Sequence, residues 1–182
     1  MFILASSSPR RKELLRKIVP SFEIVVPEVD ESSLSFLSPK DLPAEESKLK
    51  AYAVASRFPE DEVLACDTVV LLDGVALGKP KDAAEARAML RKESGRKQIV
   101  LSAYTYIGRG KEITRTVKTE VFFHELDESL IETYVATGSP LDKAGAYGIQ
   151  DPFPLVKEIR GSYDNVMGLP TEDIKKALSF LE

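Results

Sequence analysis

Met1-Phe2-Ile3-Leu4-Ala5-Ser6-Ser7-Ser8-Pro9-Arg10-Arg11 opens the chain, and the order of its residue types is that of a strand, a turn and a helix start. The apolar run Phe2 to Ala5 suits a strand buried on both faces. Ser8 is a helix-capping type and Pro9 suits a first helical turn, while Leu14, Leu15 and Ile18 fall at helical spacing through residues 10 to 18. The serine turn with two guanidinium groups forms a candidate phosphate cradle, because free N–H groups at a helix start favour anions and Arg meets phosphate oxygens in pairs. The same residues also fit a plain capped helix, with Arg10 and Arg11 solvated beside Glu13.

Working outward, Phe22 to Val26 reads as the next strand. Glu28 to Asp41 reads as a loop ending at a helix cap, and Pro43 suits the first turn of a helix running to Arg57. Val63 to Leu72 is the most apolar run and predicts a central strand, interrupted by Asp67. Asp73-Gly74 signals a tight turn, Gly78-Lys79-Pro80 follows, and Asp82 caps a helix to Glu93. Residues 98–107 and 113–123 flank Gly108-Arg109-Gly110 as two long antiparallel strands. Asp127 caps a helix that stops near Gly138, Leu155 to Ile159 predicts a strand, and Thr171 caps a final helix. Alternating strands and helices with one hairpin predict a mixed-sheet α/β fold in a single domain over residues 1–182.

With 182 residues, 43% hydrophobic and 30% charged, the chain can bury a sizeable core, and no apolar run approaches membrane-spanning length. The opening apolar run is too short for a secretory signal and no basic segment precedes it, so a cytoplasmic protein is expected. A net charge of −4 argues against broad nucleic-acid binding, and aromatic runs beside basic ones, as an RNA-binding domain would show, are missing. A lone cysteine, Cys66, excludes an internal disulfide, and a lone histidine, His124, excludes a histidine-rich metal site. Any metal would therefore be held by carboxylates, which favours magnesium or manganese.

Asp67 stands out because a carboxylate within Val-Leu-Ala-Cys-Asp-Thr-Val-Val-Leu-Leu needs a metal, a cation or several donors. Cys66 beside it reads as a packed strand residue rather than a nucleophile. Glu31 lies in the first long loop and could share a divalent ion with Asp67, although Asp30-Glu31 alone fits a solvated pair. Lys50 follows Glu46 by four residues, the spacing of an exposed helical salt bridge. Lys79, held between Gly78 and Pro80, suits a phosphate ligand or a plain surface turn. In Leu141 to Gln150, glycines allow close backbone approach to a ligand and Gln150 offers donor and acceptor to a base edge. Neither a Walker A pattern nor Gly-x-Gly-x-x-Gly occurs, so a P-loop NTPase and a dinucleotide-binding domain are unsupported.

Taken in order, these segments resemble the Maf family of nucleoside triphosphate pyrophosphatases. Leu4 to Arg11 resembles its opening motif, Asp67-Thr68-Val69-Val70 its acidic motif and Gly78-Lys79-Pro80 its lysine turn. Asp142 to Gln150, Gly161-Ser162-Tyr163 and Val166 to Pro170 resemble its C-terminal signature. The resemblance implies an elongated mixed sheet flanked by helices, of the Maf/ITPase-like kind, with the active site in a cleft between two lobes. It implies hydrolysis of a nucleoside triphosphate to the monophosphate and pyrophosphate with Mg2+ or Mn2+, Gln150 and the lysine turn pointing to dTTP and UTP rather than 7-methyl-GTP. By this resemblance Asp67 is the catalytic proton acceptor, and Arg10, Thr68 and Gln150 govern substrate choice. Ser8, Arg11, Lys50 and Lys79 hold phosphates, and Glu31 and Asp67 hold the metal. An Asp at its ordinary pKa of about 3.9 is a poor base at neutral pH, so base and metal ligand both stay open for Asp67. Two stretches depart from the family pattern: Asp151-Pro152-Phe153-Pro154 where glycines are usual, and Gln98 where a histidine is common. A non-catalytic nucleotide-binding regulator linked to cell division would keep the cations but needs neither Glu31 nor Asp67. The expected partner is a small nucleotide, with no nucleic acid and no membrane, and a homodimer is left open.

Overall fold

The Phe2–Ala5 run forms strand β1, buried throughout; the structure, a computed structural model, describes residues 1–179. Helix α1 spans Pro9–Leu15, with Ser8 as its cap accepting from the Arg11 backbone N–H at 3.3 Å. It ends before Ile18 because the Lys17 and Ile18 N–H groups bond three residues back, tightening the last turn ahead of Pro20. The strand expected over 22–26 shortens to β2, Glu23–Ile24, which pairs with only Ile3 and Leu4 of β1. Inside the expected loop Glu31–Leu34 makes a single 3-10 turn capped by Asp30. Helix α2 runs Leu42–Ala55, but Asp41 does not cap it through its side chain; that carboxylate accepts from Ser38 Oγ instead.

Strand β3, Glu62–Leu72, is the central strand, and Asp73 (φ 52°) with Gly74 (φ 76°) turns it into a short β4, Val75–Leu77. Positive φ at both central residues is the hairpin geometry whose twist matches the flanking strands. Helix α3 is Ala83–Glu93, capped by Asp82. Strands β5 (Lys97–Gly108) and β6 (Lys111–Phe123) form the long hairpin, and α4 is Glu128–Ala136. Strand β7 is Val156–Arg160, followed by the short α5, Tyr163–Met167, and α6, Thr171–Ala177. Thr171 begins α6 without capping it; its hydroxyl donates to Asp164.

The sheet order is β2-β1-β3-β5-β6-β7, with β4 also on β3. Strand β5 covers one edge of β3 from Val63 to Leu71. The other edge is divided: parallel β1 pairs with residues 62–65, and antiparallel β4 with residues 70–72. Residues 66–69 lie in the gap. Two cores pack around the first half of β3, one with Leu14 and Leu15 of α1 on one face and one with Ala51 and Val54 of α2 on the other. A further core, built from Val70, Val100, Val121 and Phe123 with α3 and α4, packs around its far half. The gap therefore opens between two separately packed ends of one strand.

Glu93, the last residue of α3, lies fully buried in the second half, and neither carboxylate oxygen has a hydrogen-bond partner. Burial raises its pKa well above 4.5, so the folded state keeps a proton that the unfolded chain releases, and stability falls as pH rises above that value. Glu93→Leu should therefore raise the melting temperature by about 3–6 °C at pH 8, from about 1–2 kcal/mol for an unsatisfied buried group, and by less at pH 5. Equal melting curves for the two proteins at both pH values would refute this account.

Candidate active site

Alternation along β3 sends neighbouring residues of the gap to opposite faces. Asp67 shares the face of Val63 and Ala65 and meets α2; Thr68 shares the face of Leu64 and Cys66 and meets α1. Two chemistries are thereby separated by one peptide.

On the α2 face, Lys50 Nζ donates to Asp67 Oδ1 at 2.7 Å and lies 2.8 Å from Glu31 Oε1. The helical pairing of Lys50 with Glu46 is thus not the one formed. Burial opposes the Lys50 ammonium, but Asp67 and Glu31 outweigh it and hold its pKa above the ordinary value. Glu46, one turn earlier on the same helix, turns its carboxyl to Asp67, and burial followed by a hydrogen bond with Asp67 raises its pKa to about 8. One carboxylate oxygen from each of Glu31, Glu46 and Asp67 lies within 4.8 Å of the others. Glu46 was not among the expected site residues. Its signal lay in its place beside Ser47, Ala51 and Val54 on the buried side of α2, where a carboxylate needs a partner.

On the α1 face, Arg11 is not solvated: Nε donates to the Gly168 carbonyl at 2.8 Å and Nη2 to Thr68 Oγ1 at 3.1 Å. Thr68 Oγ1 also lies 2.8 Å from Ser102 Oγ. Gly168 ends α5 at φ 127°, a region that glycine enters readily and other residues rarely do. Cys66 is fully buried with Sγ 3.3 Å from the Gly168 carbonyl, and burial pushes its thiol up to about 11. It is a packed strand residue, as expected, and not a thiolate nucleophile at neutral pH.

Arg10 Nη1 reaches Asp142 Oδ2 at 3.5 Å, bridging α1 to the C-terminal segment. The Gly145 N–H donates to the Gly78 carbonyl at 3.1 Å and ties that segment to the turn carrying Lys79. Gln150 sits exposed on a turn from Gly148 to Asp151, closed by the Asp151 N–H on the Gly148 carbonyl at 3.0 Å. Ser8, Arg10, Arg11, Glu31, Lys50, Asp67, Thr68, Lys79 and Gln150 all line one cavity of about 670 Å3, together with Glu46. Gln98 lies elsewhere, fully buried and donating to the Glu93 carbonyl.

Residues 1–181 match the family profile described as Maf-like protein. The chain belongs to the Maf family. It is 46% identical over 178 residues to a dTTP/UTP pyrophosphatase of Bacillus cytotoxicus, covering 97% of this chain and 93% of that relative. It is 47% identical over 171 residues to a dTTP/UTP pyrophosphatase of Pyrococcus abyssi, covering 93% and 90%. The solved structure of the Staphylococcus aureus Ham1 protein overlaps 68% of this chain and 70% of its own at 16% identity and a TM-score of 0.44, too slight a likeness to add to the family assignment.

In this Maf chain the Lys50 ammonium is the counter-charge that lets three carboxylates gather. Lys50→Met should lower the melting temperature in chelator at pH 8 by roughly 5–10 °C, from about 2–4 kcal/mol for a broken, largely buried pair. The loss should shrink at pH 5, well below the raised pKa of about 8 of Glu46, where that residue is protonated and the cluster carries less negative charge. A change under about 1 °C at pH 8 in thermal denaturation would remove Lys50 from that role.

Proposed function

We propose that the chain is a single-domain nucleoside triphosphate pyrophosphatase that hydrolyses dTTP and UTP to the monophosphate and pyrophosphate. The observation that carries this reading is the meeting of Arg10, Arg11, Lys50 and Lys79 with the carboxylates of Glu31 and Asp67 on one cavity. Its volume of about 670 Å3 lies within the range of small-molecule sites. The relatives named dTTP/UTP pyrophosphatase supply the pyrimidine part of the reading.

Cleavage between the α and β phosphates needs charge neutralised on the departing pyrophosphate and water aligned at the α phosphorus. Arg10 and Arg11 from α1, Ser8 at its cap, Lys50 from α2 and Lys79 from the turn after β4 supply positive charge and donors to the triphosphate. The residues present also fit a divalent cation, because Glu31, Glu46 and Asp67 offer only oxygen and Lys50 already places a positive charge between Glu31 and Asp67. Glu31 and Asp67, with Glu46 beside them, would hold Mg2+ or Mn2+. Such an ion, when bound, neutralises phosphate charge and acidifies water. Asp67 meets both Lys50 and Glu46, and it orients the attacking water or takes its proton. Arg10, Thr68 and Gln150 face the remaining cavity and set the choice of base.

No helix among the described residues is long and apolar enough to cross a membrane. We place the enzyme in the cytoplasm, where its nucleotide substrates are, and its net charge of −4 favours action on free nucleotides over nucleic acid.

With Mg2+ or Mn2+, dTTP and UTP should yield monophosphate and pyrophosphate, and release of diphosphate and orthophosphate as main products would sink the reading. Asp67→Asn keeps shape but loses charge, so it should bind triphosphate while turnover falls at least about a hundredfold. Partial rescue by excess Mn2+ assigns the loss to cation ligation, and no rescue assigns it to proton acceptance. Near-normal turnover would leave the mechanism without its central residue.

A further inference from the structure

The turn that presents Gln150 is held at both ends by a single atom. Tyr134 Oη accepts from the Gly148 N–H at 2.9 Å and donates to Asp151 Oδ2 at 2.5 Å. Gly148 and Asp151 are the first and last residues of that turn, and Ile149 and Gln150 are its middle. Ser139 Oγ donates to the same Asp151 oxygen at 2.7 Å, and Lys143 Nζ, which donates to Ser139, lies 4.0 Å away. Tyr134 itself is fully buried on α4 among Ile131, Val135 and Phe153, whose ring lies 4.8 Å from its own. A Cβ at Gly148 would sit 2.7 Å from Lys143 Cε and 3.0 Å from Asp151 Oδ2, so a larger residue there would press on both side chains.

We infer that Tyr134 and Asp151 are positioning residues for base selection: they hold the Gly148–Asp151 turn in one conformation, so that Gln150 meets a pyrimidine edge without first being ordered. This inference rests on the reading that Gln150 contacts the base. The physical ground is preorganisation. Gln150 is exposed and its turn lies on the surface, where a free loop would spend binding energy on its own immobilisation. A phenol fixed in the core by α4 transfers the rigidity of that helix to both ends of the turn. The acidic residue at position 151, where the family resemblance led us to expect glycine, is the half of the clamp that a glycine could not supply.

The test measures steady-state constants for dTTP, UTP, CTP and GTP, with inorganic tripolyphosphate as a competitor that has phosphates but no base. Tyr134→Phe removes both hydrogen bonds of the clamp and should raise KM for dTTP and UTP about tenfold, with kcat changed less than about threefold. The preference over CTP and GTP should narrow, while tripolyphosphate inhibition stays within about twofold. Asp151→Ala breaks the clamp from its other end and should give the same pattern, and the double variant should be little worse than either single one. If Tyr134→Phe loses stability, Asp151→Ala decides alone. Unchanged KM and ranking in both variants, while Gln150→Glu alters the ranking, would overturn the clamp and leave the base reading intact. An unchanged ranking in Gln150→Glu would overturn the base reading and the clamp with it. Equal weakening of nucleotide and tripolyphosphate would show general loosening of the cavity, and would likewise overturn the inference.

Discussion

A carboxylate placed in the middle of an apolar strand has to be compensated, and in this chain the compensation organises the whole cavity. Asp67 is reached by Lys50 from α2, and Lys50 in turn holds Glu31 from the loop before it. Helix and loop are thus drawn to the point where the edge of β3 carries no partner strand. That opening exists because β1 ends at Ala5, where the chain turns through Ser6 to Ser8 into α1, while β4 begins pairing only at Val70. The break in pairing and the charge within it have one cause each, but they coincide. Asp67 lines the cavity at that point.

The period of two along β3 accounts for the division of labour across the cavity. Asp67 turns toward carboxylates and an ammonium, and Thr68 toward a guanidinium that is held by the Gly168 carbonyl and by Thr68 itself. Arg11 is therefore held by two hydrogen bonds within the protein itself. Arg10 is held more loosely, by an exposed ion pair at 3.5 Å with Asp142, and such a pair contributes little on its own.

Much of this was legible in the residues. The apolar opening run, the long β5–β6 hairpin and the Asp caps of α3 and α4 carry local signals that tertiary packing did not override. The misread elements are those whose extent depends on partners. Strand β2 extends only as far as its two pairs with β1, β4 is too short to show a period, and Thr171 gives its hydroxyl to Asp164 rather than to its own helix. The site followed the same rule. Asp67 declared itself by its apolar neighbours, whereas Glu46 looked like half of a helical ion pair until the loop carrying Glu31 came between the two alternatives for Lys50. Sequence spacing can name the residues that could pair, and only the fold decides which pair forms.

Charge bookkeeping in the cluster explains how such a site can fold before its substrate or any cation is bound. Glu31, Glu46 and Asp67 would carry three negative charges against the single positive charge of Lys50. With its pKa raised to about 8, Glu46 retains a proton at neutral pH. The ammonium of Lys50 and the proton on Glu46 together supply two positive charges, the same number that a divalent cation brings. The folded protein thus holds its carboxylates together with groups that are each able to leave: one on a flexible four-carbon stem, the other as a proton to solvent. A buried arginine in place of Lys50 would satisfy the carboxylates through a fixed planar fork rather than as a compact point charge. The choice of lysine at this position keeps the cluster stable at rest without making its resting partner permanent.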